Sequence, residues 1–314
     1  MEILYLVVPC YNEQEVLSET AKQLLEKINN LINNKIISPN SRIVFVDDGS
    51  KDNTWSIINS LHEKNQLFQG LKLSRNKGHQ NALLAGLMTV KKHCDIAISL
   101  DADLQDDLDA IDEMVQKYKE GYDVVYGVRS SRKNDTFFKK STAQIFYKFL
   151  NFMGVETVYN HADYRLMSKR ALDGLENYSE VNIFLRGIVP LIGYKTTIVY
   201  YKRGKRFAGE SKYPLKKMLY FAWEGITSFS IKPIKMISTA GILLFLAGII
   251  MLIVLFFNRI INDVNIGISL IVSLLFIFFG IQLIATGIVG EYIGKIYMET
   301  KQRPRFIIET YLGD

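Results

Sequence analysis

Three oxygen-bearing side chains stand at alternate positions in one short run of this chain: Asp101, Asp103 and Gln105, within SLDADLQDD at 99–107. Carboxylates this close repel, and such a cluster is stable only if solvated, protonated or given a cation. Alternate positions at a strand end can aim at one point, and an all-oxygen donor set suits a hard ion, Mg2+ or Mn2+. Mg2+ commonly takes one or two protein carboxylates and completes its shell with water and substrate phosphates. The cluster thus reads as part of a metal site, with Asp103 and Gln105 as ligands, that a diphosphate would complete. The competing reading is the acidic first turn of a helix, with Asp106 and Asp107 at the positive end of its dipole. Cations for the same phosphates are present in Arg129, Arg206 and Lys212. Guanidinium forks grip phosphate oxygens in pairs, and lysine offers a point charge. Singly each is an ordinary surface charge; as a set opposite the acidic run they form a diphosphate cradle.

The elements that must position these groups alternate. Apolar, β-rich runs ILYLVVP (3–9), RIVFVDD (42–48), FQGLKLS (68–74), DIAISLD (95–101) and DVVYGV (123–128) are separated by stretches of helical spacing such as 16–32 and 81–90. That alternation implies an α/β fold: an open, Rossmann-like, mostly parallel sheet covered on both faces. In such sheets the ligand crevice lies at the carboxyl ends of the strands. The polar clusters PCYNE, DDGS, SRNKG and DADLQD all fall at those ends. No GxGxxG follows the first strand and no GxxxxGK[ST] occurs, so neither a dinucleotide fingerprint nor a P-loop is present.

The bulk numbers add a second expectation. Of 314 residues 48% are hydrophobic, and the stretches 236–257 and 264–290 hold no charged residue. Each exceeds the roughly 20 apolar residues that span a bilayer core as a helix. Two transmembrane helices, about 236–257 and 265–290, are therefore expected as a hairpin. Lys232 and Lys235 precede it and Lys295, Lys301, Arg303 and Arg305 follow it, which predicts cytoplasmic ends. Met1 and Glu2 lead straight into the first strand-like run without a basic leader, so the N-terminal part is expected to remain cytosolic. The expected layout is a cytosolic catalytic domain at 1–212, an interfacial amphipathic region at 213–233, the hairpin within 234–290 and a cytosolic tail at 291–314. The helix-like run 137–154 is a further interfacial candidate. The expected placement is a multi-pass cell-membrane protein with both termini cytoplasmic. Cys10 and Cys94 suit a reducing compartment, and anionic lipid headgroups explain the net charge of +6 at least as well as nucleic acid would; no nucleic-acid partner is expected.

VVPCYNE, DDGSKDNT, RNKGHQNALLAG and LDADLQDD follow the order and spacing of family-two inverting glycosyltransferases of the type-A fold. ADYRLMSKRA (162–171), RFAGESKY (206–213) and GEYIGKIYMETKQRPRF (290–306) resemble a narrower group, the polyprenyl-phosphate glycosyltransferases. The resemblance covers essentially the whole chain. It implies that Pro9, Tyr11 and Glu13 line a nucleotide pocket, with Asp47 or Asp48 on base or ribose. It sets Asp101 and Ala102 on the nucleotide side, Asp103 and Gln105 on the metal, and Arg129, Arg206 and Lys212 on phosphate. Asp163, with Arg165 two residues on, matches the group's proposed general base; whether it removes a proton or orients the acceptor is open. The implied donor is a nucleotide sugar, UDP-glucose first, and the implied acceptor is polyprenyl (undecaprenyl) phosphate at a membrane. The resemblance admits a homotetramer, which no pattern in the sequence demands. The rivals are transfer to another lipid, a processive polysaccharide synthase, whose QxxRW motif is absent, and a non-catalytic scaffold.

Overall fold

The first strand, β1 (Leu4–Cys10), buries all seven of its residues. Successive side chains point to opposite faces: Leu4, Leu6, Val8 and Cys10 join one apolar layer, Tyr5 and Val7 the other. A strand covered on both faces is apolar throughout, which is why it reads as an unbroken run. We describe residues 1–129, 161–181, 184–202 and 268–313 of the computed structural model.

The two layers are built by different helices. One face is covered by α1 (Leu17–Asn33), α2 (Thr54–Lys64) and α4 (Ala110–Lys119). In α1 the residues Leu17, Ala21, Leu24, Ile28 and Leu31 recur at steps of three and four, forming one buried stripe. Each leucine or isoleucine so buried contributes about 1.5–3 kcal/mol. The other face carries α3 (His79–Val90), α5 (Lys169–Glu176) and α6 (Leu185–Leu191). A Cβ on Gly86 would lie 2.5 Å from Val7 Cγ1 and 2.7 Å from Val46 Cγ2, so glycine lets α3 sit directly on the sheet.

The remaining strands are β2 (Arg42–Asp47), β3 (Phe68–Leu73), β4 (Ile96–Ser99), β5 (Val124–Arg129), β6 (His161–Ser168), β7 (Thr196–Tyr201) and β8 (Ile308–Leu312). Among the described residues they form an eight-stranded sheet in the order β7-β5-β6-β4-β1-β2-β3-β8. Strands β4, β1, β2 and β3 are parallel, so their carboxyl ends share one rim. Strand β6 runs against both neighbours, β4 and β5. In its register Ser99 faces Arg165. Extending that register by two residues sets Asp163 across from Asp101, which brings the start of β6 to the acidic rim. The sheet also takes in residues 308–312, from the expected C-terminal tail, as an antiparallel edge strand on β3.

The membrane expectation requires correction. No helix among the described residues is long and apolar enough to cross a membrane. That finding conflicts with a multi-pass cell-membrane protein with cytoplasmic termini, and the placement is withdrawn. The described part of the second expected span belongs to α7 (Ile268–Thr300), which runs on without a break through Glu291, Lys295 and Glu299. The charged end of α7 is tied to the domain: both Glu299 carboxylate oxygens accept from the Val181 N–H at 2.9 Å. The expected interfacial segments 137–154 and 213–233 and the first span, 236–257, lie outside the described residues.

Candidate active site

The rim is assembled by turns that stitch the strand ends together. After β1, Asn12 takes a left-handed conformation (φ 53°). Its N–H donates to Ser50 Oγ at 3.0 Å and its Oδ1 accepts from the Lys51 N–H at 2.9 Å. The Glu13 N–H donates to Thr54 Oγ1 at 2.9 Å. Gly49 (φ +64°) could carry no side chain, because a Cβ there would stand 2.6 Å from the Asn76 amide nitrogen. The PCYNE and DDGS segments are thus one unit, with Pro9 buried beneath it and Tyr11 exposed at its mouth.

The two aspartates of DDGS have different duties. Asp48 accepts from the Lys77 and Gly78 N–H groups at 2.7 and 2.8 Å, fixing the approach to α3. Asp47 accepts from the Ser50 N–H at 3.2 Å through Oδ1, while its buried Oδ2 has no hydrogen-bond partner among the described residues. Burial raises the pKa of both, and the backbone donors pull each back down.

In the DADLQ turn, Leu104 is held at φ 56° and Asp103 Oδ1 accepts from the Gln105 N–H at 3.2 Å. Asp101, Asp103 and Gln105 are half-buried on the rim. Ala102 instead packs into the core, and its carbonyl accepts from Thr20 Oγ1 at 2.7 Å, so it anchors the turn to α1. Loss of solvent raises the Asp101 pKa; His79 opposes this, and the charges of Asp163 and Asp103 add to it. Asp106, next in the chain, is buried and accepts from Tyr201 Oη at 2.7 Å. Burial and the Asp101 charge push it up to about 6. Arg129 Nε reaches the same Tyr201 hydroxyl at 3.4 Å, which links the end of β5 to the acidic turn.

Asp163 is the most heavily held group on the rim. Its Oδ1 accepts from Arg165 Nη2 at 2.7 Å and from Arg186 Nε at 3.2 Å. Its Oδ2 accepts from Arg186 Nη2 at 3.1 Å and Gln80 Nε2 at 3.3 Å, with His79 Nε2 at 3.4 Å. The Ser99 hydroxyl donates to its carbonyl. Burial alone would raise the Asp163 pKa, but the Arg186 charge, the His79 hydrogen bond and Arg165 hold it well below the usual carboxylate range. Arg165 lies on the same strand face two residues away, is 1% exposed, and also donates to the Leu185 carbonyl at 3.3 Å. It supports Asp163 from within the domain. Arg186, on α6, is 37% exposed.

Sequence reasoning missed His79, Gln80, Arg186, Asp106 and Tyr201. The first two stood inside RNKGHQNALLAG but were given no role; nothing in the sequence around Arg186 marked it. Arg206 and Lys212 lie outside the described residues. Among the described residues no three His, Cys, Asp or Glu side chains group closely enough to hold a metal unaided. The oxygen donors of Asp103 and Gln105 fit a hard ion that takes most of its shell from water and phosphate, which needs no such cage.

Comparison with known proteins gives consistent relatives. Residues 5–175 match the family described as Glycosyl transferase family 2. The uncharacterized glycosyltransferase YkoT of Bacillus subtilis (strain 168) is 52% identical over 308 residues, covering 98% of this chain and 91% of the relative. The bactoprenol glucosyl transferase of Shigella phage SfV is 39% identical over 310 residues, covering 97% of each chain. Among solved structures, Staphylococcus aureus TarS aligns with a TM-score of 0.46 at 15% identity, over 72% of this chain and 39% of that one.

Proposed function

This chain belongs to glycosyltransferase family 2, and from that premise we propose that it moves a sugar from a nucleotide diphosphate sugar, UDP-glucose first, to polyprenyl phosphate with inversion at the anomeric carbon. One observation carries the reading: oxygen ligands suited to a cation shared with a diphosphate (101–105) and an arginine-held carboxylate (163) meet on one rim, across β4 and β6. The choice of acceptor and sugar is supported by near-full-length similarity to proteins named bactoprenol glucosyl transferase.

In this reading the nucleoside docks between the PCYNE and DDGS turns, with Pro9, Tyr11 and Glu13 as lining. Asp47, whose Oδ2 has no donor among the described residues, accepts from the base or ribose; Asp48 is already committed to the α3 loop. Asp101 faces the donor sugar-diphosphate, and Arg129, Arg206 and Lys212 grip phosphate. Asp103 and Gln105 would hold Mg2+ or Mn2+, which when bound stabilises charge on the departing diphosphate.

The reaction forms a bond from an acceptor phosphate oxygen to the anomeric carbon. It breaks the bond from that carbon to the diphosphate, which leaves as the anion. A phosphate monoester has its second pKa near ~6, so the nucleophile is already largely ionised at neutral pH. Asp163 stays a carboxylate there and is saturated with donors, so it orients Arg186 and the acceptor instead of removing a proton. Arg186, the half-exposed member of the pair, offers a guanidinium to the incoming phosphate.

The test is a panel of radiolabelled nucleotide sugars offered to the purified full chain with undecaprenyl phosphate, in Mg2+, Mn2+ or chelator. An alkali-labile, phosphate-containing glycolipid from UDP-glucose, lost on chelation, is the expected product. An alkali-stable glycolipid lacking phosphate refutes the acceptor, and no transfer from any donor refutes the reading.

A further inference from the structure

Asp163 belongs to β6, yet two of its donors come from the first turn of α3 and one from α6. Gln80 is the joint between them. Its Nε2 donates to Asp163 Oδ2 at 3.3 Å, and its Oε1 accepts from the Leu185 N–H at 3.0 Å, the first amide of α6. That helix supplies Arg186, which meets both Asp163 oxygens. His79 lies on the other side, with Nε2 3.4 Å from Asp163 Oδ2 and 3.9 Å from Asp101 Oδ1. It thus stands between the donor-side and acceptor-side carboxylates.

Resting on the proposed transfer reaction, we propose that His79 and Gln80 are positioning residues for Asp163, fixing its Oδ2 toward α6 so that turnover, not donor affinity, depends on them. Three observations support this role. The approach to the turn is itself fixed, because the Asp48 carboxylate holds the Lys77 and Gly78 amides. The helix behind it is seated tightly on β1 and β2 through Gly86. Neither side chain is part of the apolar core: His79 is 39% exposed and Gln80 half-buried. Burial therefore does not account for a histidine and a glutamine both aimed at one carboxylate oxygen. Without the turn, Asp163 Oδ2 would keep only Arg186 of these donors; the turn sets the angle at which that oxygen meets α6.

The experiment compares His79→Ala, His79→Gln and Gln80→Glu in the full chain. The glutamine at 79 keeps an N–H donor at a reach close to that of imidazole Nε2. The glutamate at 80 keeps the acceptor for Leu185 but loses the donor to Asp163. UDP binding by calorimetry, kcat for transfer and melting temperature are read for each. We expect His79→Ala to lower kcat by roughly 10- to 100-fold, the loss of one hydrogen bond to a charged group, and Gln80→Glu, which also sets a second carboxylate against Asp163, to lower it by at least as much, with UDP Kd unchanged in both. His79→Gln should recover most of the turnover. Unchanged kcat in His79→Ala, a UDP Kd that worsens in step with kcat, or no recovery by glutamine overturns the proposal. A melting cycle of His79→Ala with Asp163→Asn decides the contact without any activity: losses that fail to add support it, and strict additivity overturns it. Should the wild-type chain transfer no sugar while that cycle shows coupling, the reaction is wrong and the positioning stands.

Discussion

Replacing Asp163 by asparagine should unfold the protein at lower temperature as well as slow it, and the size of that effect follows from Arg165. The Asp163 side chain is 8% exposed and Arg165 only 1%. Asparagine keeps the shape but removes the charge, and its amide would aim N–H groups at Gln80, His79 or Arg186. Arg165 would retain the Leu185 carbonyl at 3.3 Å, while its Nε already has no partner among the described residues. Breaking a buried ion pair by removing one member costs about 3–5 kcal/mol, because the remaining charge stays buried. For a domain of this scale that converts to a melting drop of about 6–20 °C. Thermal and urea unfolding of Asp163→Asn, Arg165→Met and the double variant measure it. The double variant removes the stranded cation and should lie above the sum of the singles by about 1 kcal/mol or more. A single-variant shift of less than about 2 °C, or singles that simply add, would refute the view that Asp163 and Arg165 are one buried unit.

Three further outcomes are expected. The upward shift of His79 from its ordinary 6.5 means that the stability linked to its charge is complete below that value and lost as pH rises through the folded value. Proton NMR of the imidazole should show an inflection above 6.5 that falls when Asp163 becomes asparagine; an inflection at or below 6.5 in the wild type contradicts the geometry. Asp48→Ala, which strips the acceptor from two amides, should cost about 1.5–3 kcal/mol of stability, whereas Asp47→Asn should weaken UDP binding and leave the melting temperature nearly unchanged. Calorimetry and unfolding separate the two, and equal effects on both readouts would void the distinction. Deletion of 307–313 bares the β3 edge and should lower the melting temperature and promote association, seen by light scattering.

The strands β1 to β5 were legible because parallel strands buried on both faces read as continuous apolar runs, and their polar ends located the rim. The acidic turn was legible for the same reason: DADLQ carries more charge than a strand end needs. What the chain hid was the third dimension. Asp163 meets Asp101 only through the reversed register of β6, which no local pattern encodes. Arg165 stood beside Asp163 in the sequence as a candidate catalytic residue, but its depth, which makes it a buried support for that carboxylate, has no local signal, since arginine is seldom buried. Asp48 looked as free to bind a ligand as Asp47, because backbone amides thirty residues away leave no trace near it. The charge-free runs were read as spans from composition alone, and composition does not say that the second continues into a charged segment bound to the domain.

The strand at 308–312 has a consequence for how the protein is made. It covers the β3 border of the sheet: the Ser74 N–H donates to the Ile307 carbonyl at 3.0 Å, Lys72 pairs with Glu309 at 2.8 Å, and Tyr311 donates to Gln69 at 3.0 Å. While the ribosome is still at work, β3 has an open border, and a sticky one. Because residues 308–312 follow every other described strand in sequence, that border stays open until α7 has been made, and the sheet closes last on the side away from β4 and β6.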